Sequence, residues 1–222
     1  MSLPLFDPSL RASFLAEHMK LSEGAALLRG FALDYEEELI EALRSIVSHA
    51  PFRFMKTPSG KAMRVALTSC GELGWISDSA GYRYSPIDPA TKRPWPAMPE
   101  VLSSLGEAAA AEAGFAGFKP NTCLINHYRP ETGLSLHQDL DEGEGAAPIV
   151  SISLGIPATF LFGGFERSAP TQKIALEHGD IVVFGGPDRL RFHGVRKLRY
   201  AEHPLFGARR FNLSLRLAAP PT

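Results

Sequence analysis

The stretch Ser135-Leu136-His137-Gln138-Asp139 carries an imidazole and a carboxylate two residues apart. On an extended strand, side chains at that spacing point to one face, so His137 and Asp139 address one point while Leu136 and Gln138 look elsewhere. Two histidines and one carboxylate hold Fe(II) on one face and leave other coordination positions open for oxygen chemistry. The same set also suits zinc. The second histidine must come from far downstream. His193 is followed by the small Gly194 and precedes an arginine-bearing strand, whereas His178 sits in the turn Glu177-His178-Gly179-Asp180. His18 and His49 fall on helical stretches, His127 alternates with Asn126 and Tyr128, and His203 precedes Pro204.

A second pattern lies near the C-terminus. Arg210, Asn212, Ser214 and Arg216 recur at spacing two, with Phe211, Leu213, Leu215 and Leu217 between them. That alternation predicts a strand with one apolar face and one face bearing two guanidinium groups and an amide. A small dicarboxylate beside a metal needs such a face, because Arg pairs with carboxylates in bidentate fashion.

The elements that position these groups follow from length and patterning. With 222 residues the chain is one domain with room for a large core. A hydrophobic share of 45%, a charged share of 21% and a net charge of −1 describe an ordinary globular protein. That balance leaves any nucleic-acid contact to a local basic patch, and Arg53, Lys56, Lys61 and Arg64 supply one without an acid among them. Cys70 and Cys123, far apart and without metal-binding spacing, suit free thiols in a reducing compartment. No signal-like N-terminus and no membrane-length apolar run is visible, so a soluble, cytoplasmic monomer without membrane contact is expected.

Asp7-Pro8 opens a short helix, Gly24 to Phe31 is a strand candidate, and Asp34 caps a helix whose apolar face is Leu39, Ile40, Leu43, Ile46 and Val47. From Pro51 to Pro99, Gly, Pro and aromatic residues dominate, with strand-like pieces such as Arg64 to Thr68; so irregular a span reads as a binding lid. Pro99 opens a further helix that stops at Gly114. Beyond Pro120 the chain reads as short strands: Cys123 to Tyr128, Ile149 to Gly155, Thr159 to Gly163, Lys173 to Glu177, Ile181 to Gly185 and Arg209 to Leu217. Helices followed by many strands predict an α+β, mainly β, jelly roll buttressed by N-terminal helices.

A longer collinear set of residues resembles the AlkB-type Fe(II)- and 2-oxoglutarate-dependent dioxygenases, above all the bacterial nucleic-acid repair members. It comprises Leu73-Gly74-Trp75, Gly81-Tyr82-Arg83-Tyr84-Ser85-Pro86-Ile87-Asp88-Pro89, Pro94-Trp95-Pro96, Asn126-His127-Tyr128 and Leu136-His137-Gln138-Asp139. Phe162-Gly163-Gly164, His178-Gly179-Asp180, His193-Gly194 and Arg210-Phe211-Asn212 through Arg216 complete it. The resemblance implies a double-stranded β-helix core in one domain, with an N-terminal extension over 1–50, a nucleotide-recognition lid over 51–99 and the catalytic core over 100–222. It implies iron on His137, Asp139 and His193, which leaves His178 as a turn residue. It implies 2-oxoglutarate on Arg210 with Asn126, Tyr128, Asn212 and Arg216, and substrate contacts from Trp75, Tyr82 and Arg167. Leu140 departs from relatives that carry a basic residue there.

The implied reaction consumes O2 and converts 2-oxoglutarate to succinate and CO2 while hydroxylating the N-methyl group of a damaged base. The product then loses formaldehyde. The substrate is alkylated DNA, single- or double-stranded, with RNA as a further candidate, and the base must be flipped out or already unpaired to reach the metal. Asp141, two residues beyond Asp139, is placed to favour cationic lesions such as 1-methyladenine and 3-methylcytosine, by about 1–4 kcal/mol over neutral ones. Three other readings compete: an oxygenase with the same core and a non-nucleic-acid substrate, a cupin-like module that only binds a ligand, and a zinc hydrolase. The basic run and lid aromatics argue against the first, the two arginines against the second, and the lack of an obvious general base against the third.

Overall fold

The computed structural model describes residues 18–140 and 147–219, so the short helix expected at Asp7-Pro8 and the acidic residue Asp141 lie outside the described residues. Thirteen strands and two α-helices are present among them. The N-terminal part pairs β1 (His18–Ser22) with β2 (Ala25–Leu28) and leads into α1 (Glu36–His49). Next come β3 (Ala66–Gly71), the hairpin β4 (Gly74–Asp78) and β5 (Gly81–Ser85), and α2 (Glu100–Glu112). The remainder is β6 (Thr122–Tyr128), β7 (Leu134–His137), β8 (Ile149–Gly155), β9 (Ala158–Phe162), β10 (Gln172–Leu176), β11 (Ile181–Phe184), β12 (His193–Val195) and β13 (Arg210–Arg216).

Seven strands form a large antiparallel sheet in the order β1-β2-β11-β8-β13-β6-β3, and four form a small one in the order β10-β9-β12-β7. This is the expected jelly roll, and it places two layers of apolar side chains. Leu27, Leu67, Leu124, Phe160, Phe162 and Phe184 fill the space between the sheets. On the opposite face, Cys123, Ile125, Leu213 and Leu215 meet Leu39, Leu43 and Ile46 of α1 and Leu102 and Leu105 of α2. Strand alternation thus sends odd residues of β6 and β13 to the helices and even ones inward. Burial on both faces explains why β13 has no exposed position.

Three local readings need correction. Asp34 does not cap α1; it lies in a 3-10 turn over Leu33–Tyr35, and the helix starts at Glu36 with no side-chain cap. His18 is on a strand rather than a helix. Regions read as appendages also supply core strands: β1 and β2 close one edge of the large sheet and β3 the other. In the 51–99 span only the β4–β5 hairpin stands outside both sheets as a separate two-stranded unit.

Candidate active site

His137 ends β7 and His193 begins β12, and the two are direct cross-strand partners. Gly194 makes that pairing feasible, because a Cβ there would come within 2.7 Å of the Leu134 carbonyl oxygen. Asp139 follows β7 and turns its carboxylate to both rings, with Oδ1 3.6 Å from His137 Nε2 and Oδ2 3.5 Å from His193 Nε2. One ligand atom from each of the three residues lies within 4.8 Å of the others, the sole such cluster among the described residues.

Backbone carbonyls orient both rings. His137 Nδ1 lies 2.9 Å from the Ser135 oxygen and His193 Nδ1 lies 3.0 Å from the Arg191 oxygen. Each Nδ1 therefore carries a proton, and each Nε2 faces the cluster. Burial, followed by the neighbouring His193, lowers the His137 pKa, which keeps that ring neutral. Burial alone would raise the Asp139 pKa, but Arg216, with His193 and His137, outweighs it and holds the carboxyl well below its ordinary range. Two imidazoles and a carboxylate anion on one side of a cavity form a donor set that fits Fe(II).

His178 is committed elsewhere. Its Nδ1 accepts from the Gly155 amide at 3.0 Å, and its Nε2 lies 2.7 Å from Glu36 Oε1. Both ring nitrogens are engaged at the start of α1, away from the cluster.

The cluster opens into a cavity of about 980 Å³ between the sheets. Its polar wall is the inner face of β13, where Arg210, Asn212, Ser214 and Arg216 alternate with core residues as the spacing predicts. Arg210 is 1% exposed. Its Nη2 donates to Ser153 Oγ at 3.1 Å, and its Nε has no hydrogen-bond partner among the described residues. Burial pulls its pKa down to about 10, so it remains charged at neutral pH. Tyr128, its cross-strand partner, is pushed up to about 12 by burial and stays a phenol donor. A buried cation with no paired carboxylate among the described residues is costly, and a dicarboxylate entering the cavity offsets that cost. Asn212 Nδ2 donates to Ser151 Oγ at 2.7 Å, while the Asn126 amide reaches Asn212 Oδ1 at 3.4 Å.

At the mouth, Trp75 and Tyr82 stack on each other with ring centres 5.5 Å apart and planes 15° apart. Tyr82 is 46% exposed. Arg167 donates to the Leu136 carbonyl at 2.7 Å and lies over the Phe192 ring. Leu140 is exposed at the rim. Of the basic run, Lys61 and Arg64 line the cavity and Lys56 is exposed. Arg53 differs, forming a two-point pair with the fully buried Asp88 and stacking over Trp95. It anchors the segment that follows β5 and does not line the cavity. Every candidate residue among the described residues thus lines this one cavity.

Residues 24–216 match the family model described as "2OG-Fe(II) oxygenase superfamily". The "Alpha-ketoglutarate-dependent dioxygenase AlkB" of Escherichia coli (strain K12) is 51% identical over 198 residues, which is 89% of this chain and 92% of that protein. The chain is an AlkB-type 2-oxoglutarate-Fe(II) oxygenase. The AlkB homolog of Caulobacter vibrioides is 42% identical over 82% of both chains. The solved structure of OsALKBH1 superimposes with a TM-score of 0.78 at 27% identity, over 90% of this chain and 99% of that one. As an AlkB-type dioxygenase the protein uses Fe(II), 2-oxoglutarate and O2, which excludes the cupin-like and hydrolase readings.

Several contacts of this AlkB-type site are not evident from spacing. Ser153 supports Arg210, Arg216 binds Asp139 Oδ2 at 2.7 Å, and Arg216 also donates to Tyr84 Oη at 3.1 Å. Tyr84 lies within the motif Gly81 to Pro89, the one sequence signal that pointed to it.

Proposed function

We propose that the protein removes N-alkyl groups oxidatively from damaged bases in nucleic acid, coupled to conversion of 2-oxoglutarate to succinate. The observation that carries this reading is one cavity with a two-histidine, one-carboxylate cluster, a buried guanidinium whose Nε has no hydrogen-bond partner among the described residues, and a stacked aromatic pair at its mouth. Two curated relatives point the same way: "DNA N(6)-methyladenine demethylase ALKBH1C" of Arabidopsis thaliana, and "Nucleic acid dioxygenase ALKBH1" of Mus musculus, which is 36% identical over 107 residues.

His137, Asp139 and His193 hold the iron. Iron held there would supply, with 2-oxoglutarate and O2, the oxidising power for hydroxylation of the N-alkyl carbon. Arg210 takes the distal carboxylate of 2-oxoglutarate, and Tyr128 donates from its side. Asn126, Asn212 and Arg216 complete the polar wall. Trp75 and Tyr82 stack on the extruded base, contributing about 1–3 kcal/mol. Lys61, Arg64 and Arg167 meet the phosphates around the mouth. The apolar lining, including Phe160 and Phe184, keeps bulk water from the reacting carbon. One chain supplies every group, which fits a monomer acting on alkylated DNA, single- or double-stranded, and on RNA.

The test is incubation of the iron-loaded protein with a 1-methyladenine oligonucleotide, with and without 2-oxoglutarate. Unmodified adenine, formaldehyde and succinate should appear together and only with the co-substrate. Succinate without any change in the base would favour an oxygenase with a different substrate. Asp141 adds a lesion preference: 1-methyladenine and 3-methylcytosine should be repaired faster than neutral 1-methylguanine and 3-methylthymine, and Asp141→Ala should narrow the gap. Matched rates on all four in the unaltered protein would remove charge as the criterion.

A further inference from the structure

The β4–β5 hairpin carries three aromatic residues on one face. Trp75 and Tyr84 are direct cross-strand partners, and Tyr82 lies two residues from Tyr84 on the same strand. Their surroundings change along the hairpin. Tyr82 is exposed at the mouth, Trp75 is partly buried, and Tyr84 is 4% exposed beside Leu73 and Ala218.

The inner end of this aromatic row reaches the metal cluster through one residue. Arg216 donates from Nη1 to Tyr84 Oη at 3.1 Å and from Nη2 to Asp139 Oδ2 at 2.7 Å. Arg216 comes from an interior strand of the large sheet, and Asp139 follows an edge strand of the small one. The guanidinium therefore ties the lid hairpin to a metal ligand across the cavity. Asp139 lies beyond the end of β7 rather than within it. Its backbone oxygen is held by Arg189 at 3.0 Å, which leaves the carboxylate's angle to Arg216 and the two histidines.

We propose that Tyr84 is a positioning residue that couples occupancy of the Trp75–Tyr82 stack to the orientation of Asp139 through Arg216. A base seated on the stack shifts Trp75, Trp75 bears on its partner Tyr84, and the Tyr84 hydroxyl sets how Arg216 is oriented toward Asp139. Iron then meets a carboxylate whose angle depends on whether substrate is present. This makes consumption of 2-oxoglutarate tighter in step with base repair. The inference rests on the nucleic-acid reading above, and its test separates the two.

Tyr84→Phe keeps the ring in its apolar contacts and removes only the hydroxyl. Three quantities are compared with the unaltered protein. They are binding of a labelled 1-methyladenine oligonucleotide to the Mn(II)- and 2-oxoglutarate-loaded protein, the anaerobic visible spectrum of the Fe(II) and 2-oxoglutarate complex before and after adding that oligonucleotide, and succinate formed per base repaired. The expected result is oligonucleotide affinity within about twofold, loss of the substrate-induced spectral change, and about a tenfold rise in succinate per repaired base, the scale of one hydrogen bond to a charged group. An unchanged spectral response and an unchanged ratio overturn the coupling while leaving demethylation intact. Weakened binding with a normal spectral response at saturating oligonucleotide also overturns it, since Tyr84 would then only hold the hairpin. Failure of the unaltered protein to bind or demethylate the oligonucleotide overturns the nucleic-acid reading itself.

Discussion

Arg210 and Arg216 stand at opposite ends of β13, on the same face and almost equally buried, at 1% and 6% exposure. Arg216 has its anion within the protein, the Asp139 carboxylate at 2.7 Å. Arg210 has a serine hydroxyl and a tyrosine ring at 6.0 Å, and no carboxylate pairs with it among the described residues. Burial of a charge is costly in both places, but only at Arg216 is the cost offset by the fold. One end of the strand is thus finished and organises the metal ligand. The other is left for a ligand to complete. Two identical side chains, six positions apart in the sequence, divide the work of the site by what faces them.

The largest expected effect concerns the cluster on which the finished end depends. Replacing His137, Asp139 or His193 by Ala should reduce 2-oxoglutarate turnover to background, whereas His178→Ala should retain iron. Metal content after gel filtration checks this, and loss of iron in the His178 variant alone would reverse the assignment of the third ligand.

A next test separates the two arginines by stability without any ligand. Arg216→Met strands the Asp139 carboxylate in a buried site and should destabilise the apoprotein by about 3–5 kcal/mol. Arg210→Met removes a buried cation with no paired carboxylate among the described residues and should be neutral or stabilising. Urea unfolding of both variants measures the difference, and equal losses would erase the distinction.

The lid should show a smaller effect. Trp75→Ala or Tyr82→Ala should slow repair of an oligonucleotide about tenfold, the scale of one base stack. Slow decarboxylation of 2-oxoglutarate without substrate should be spared. Parallel loss of both activities would make these rings part of the core instead.

The smallest effect is a pH dependence at His127, outside the cavity. Burial, then Arg129 and Arg209, depress its pKa from 6.5 to about 4. The unfolded chain therefore binds a proton that the folded chain does not. This contribution to stability is complete above pH 6.5 and is lost as pH falls toward 4. His127→Phe should flatten that part of the acid limb in a pH series of thermal melts, and an unchanged slope would show that other groups set it.

Much of this arrangement was legible because its signals are local. Spacing of two marked the inner face of β13, and turn residues bounded β8 and β11 to within a residue. His137 and Asp139 were readable from their interval even though β7 stops at His137. What escaped depends on partners distant in sequence. Arg53 looks like one more cation in a basic run until Asp88 meets it, 35 residues away. Arg216 looks like a second anchor for 2-oxoglutarate until Asp139 appears beside it, 77 residues away. His18 was misplaced for a related reason. Its five-residue strand is held by pairing with β2, and tertiary pairing overrides local pattern in so short a segment.

The division of labour along β13 is tested most directly by a binding cycle. Titration of the Mn(II)-loaded protein under anaerobic conditions would compare 2-oxoglutarate with 2-oxobutyrate, which lacks the distal carboxylate, in the unaltered chain and in Arg210→Met. The unaltered protein should prefer 2-oxoglutarate by about a hundredfold or more, the scale of a buried charge pair, and Arg210→Met should bind both alike. A variant that still discriminates between the two acids would contradict the assignment of Arg210 as the anchor.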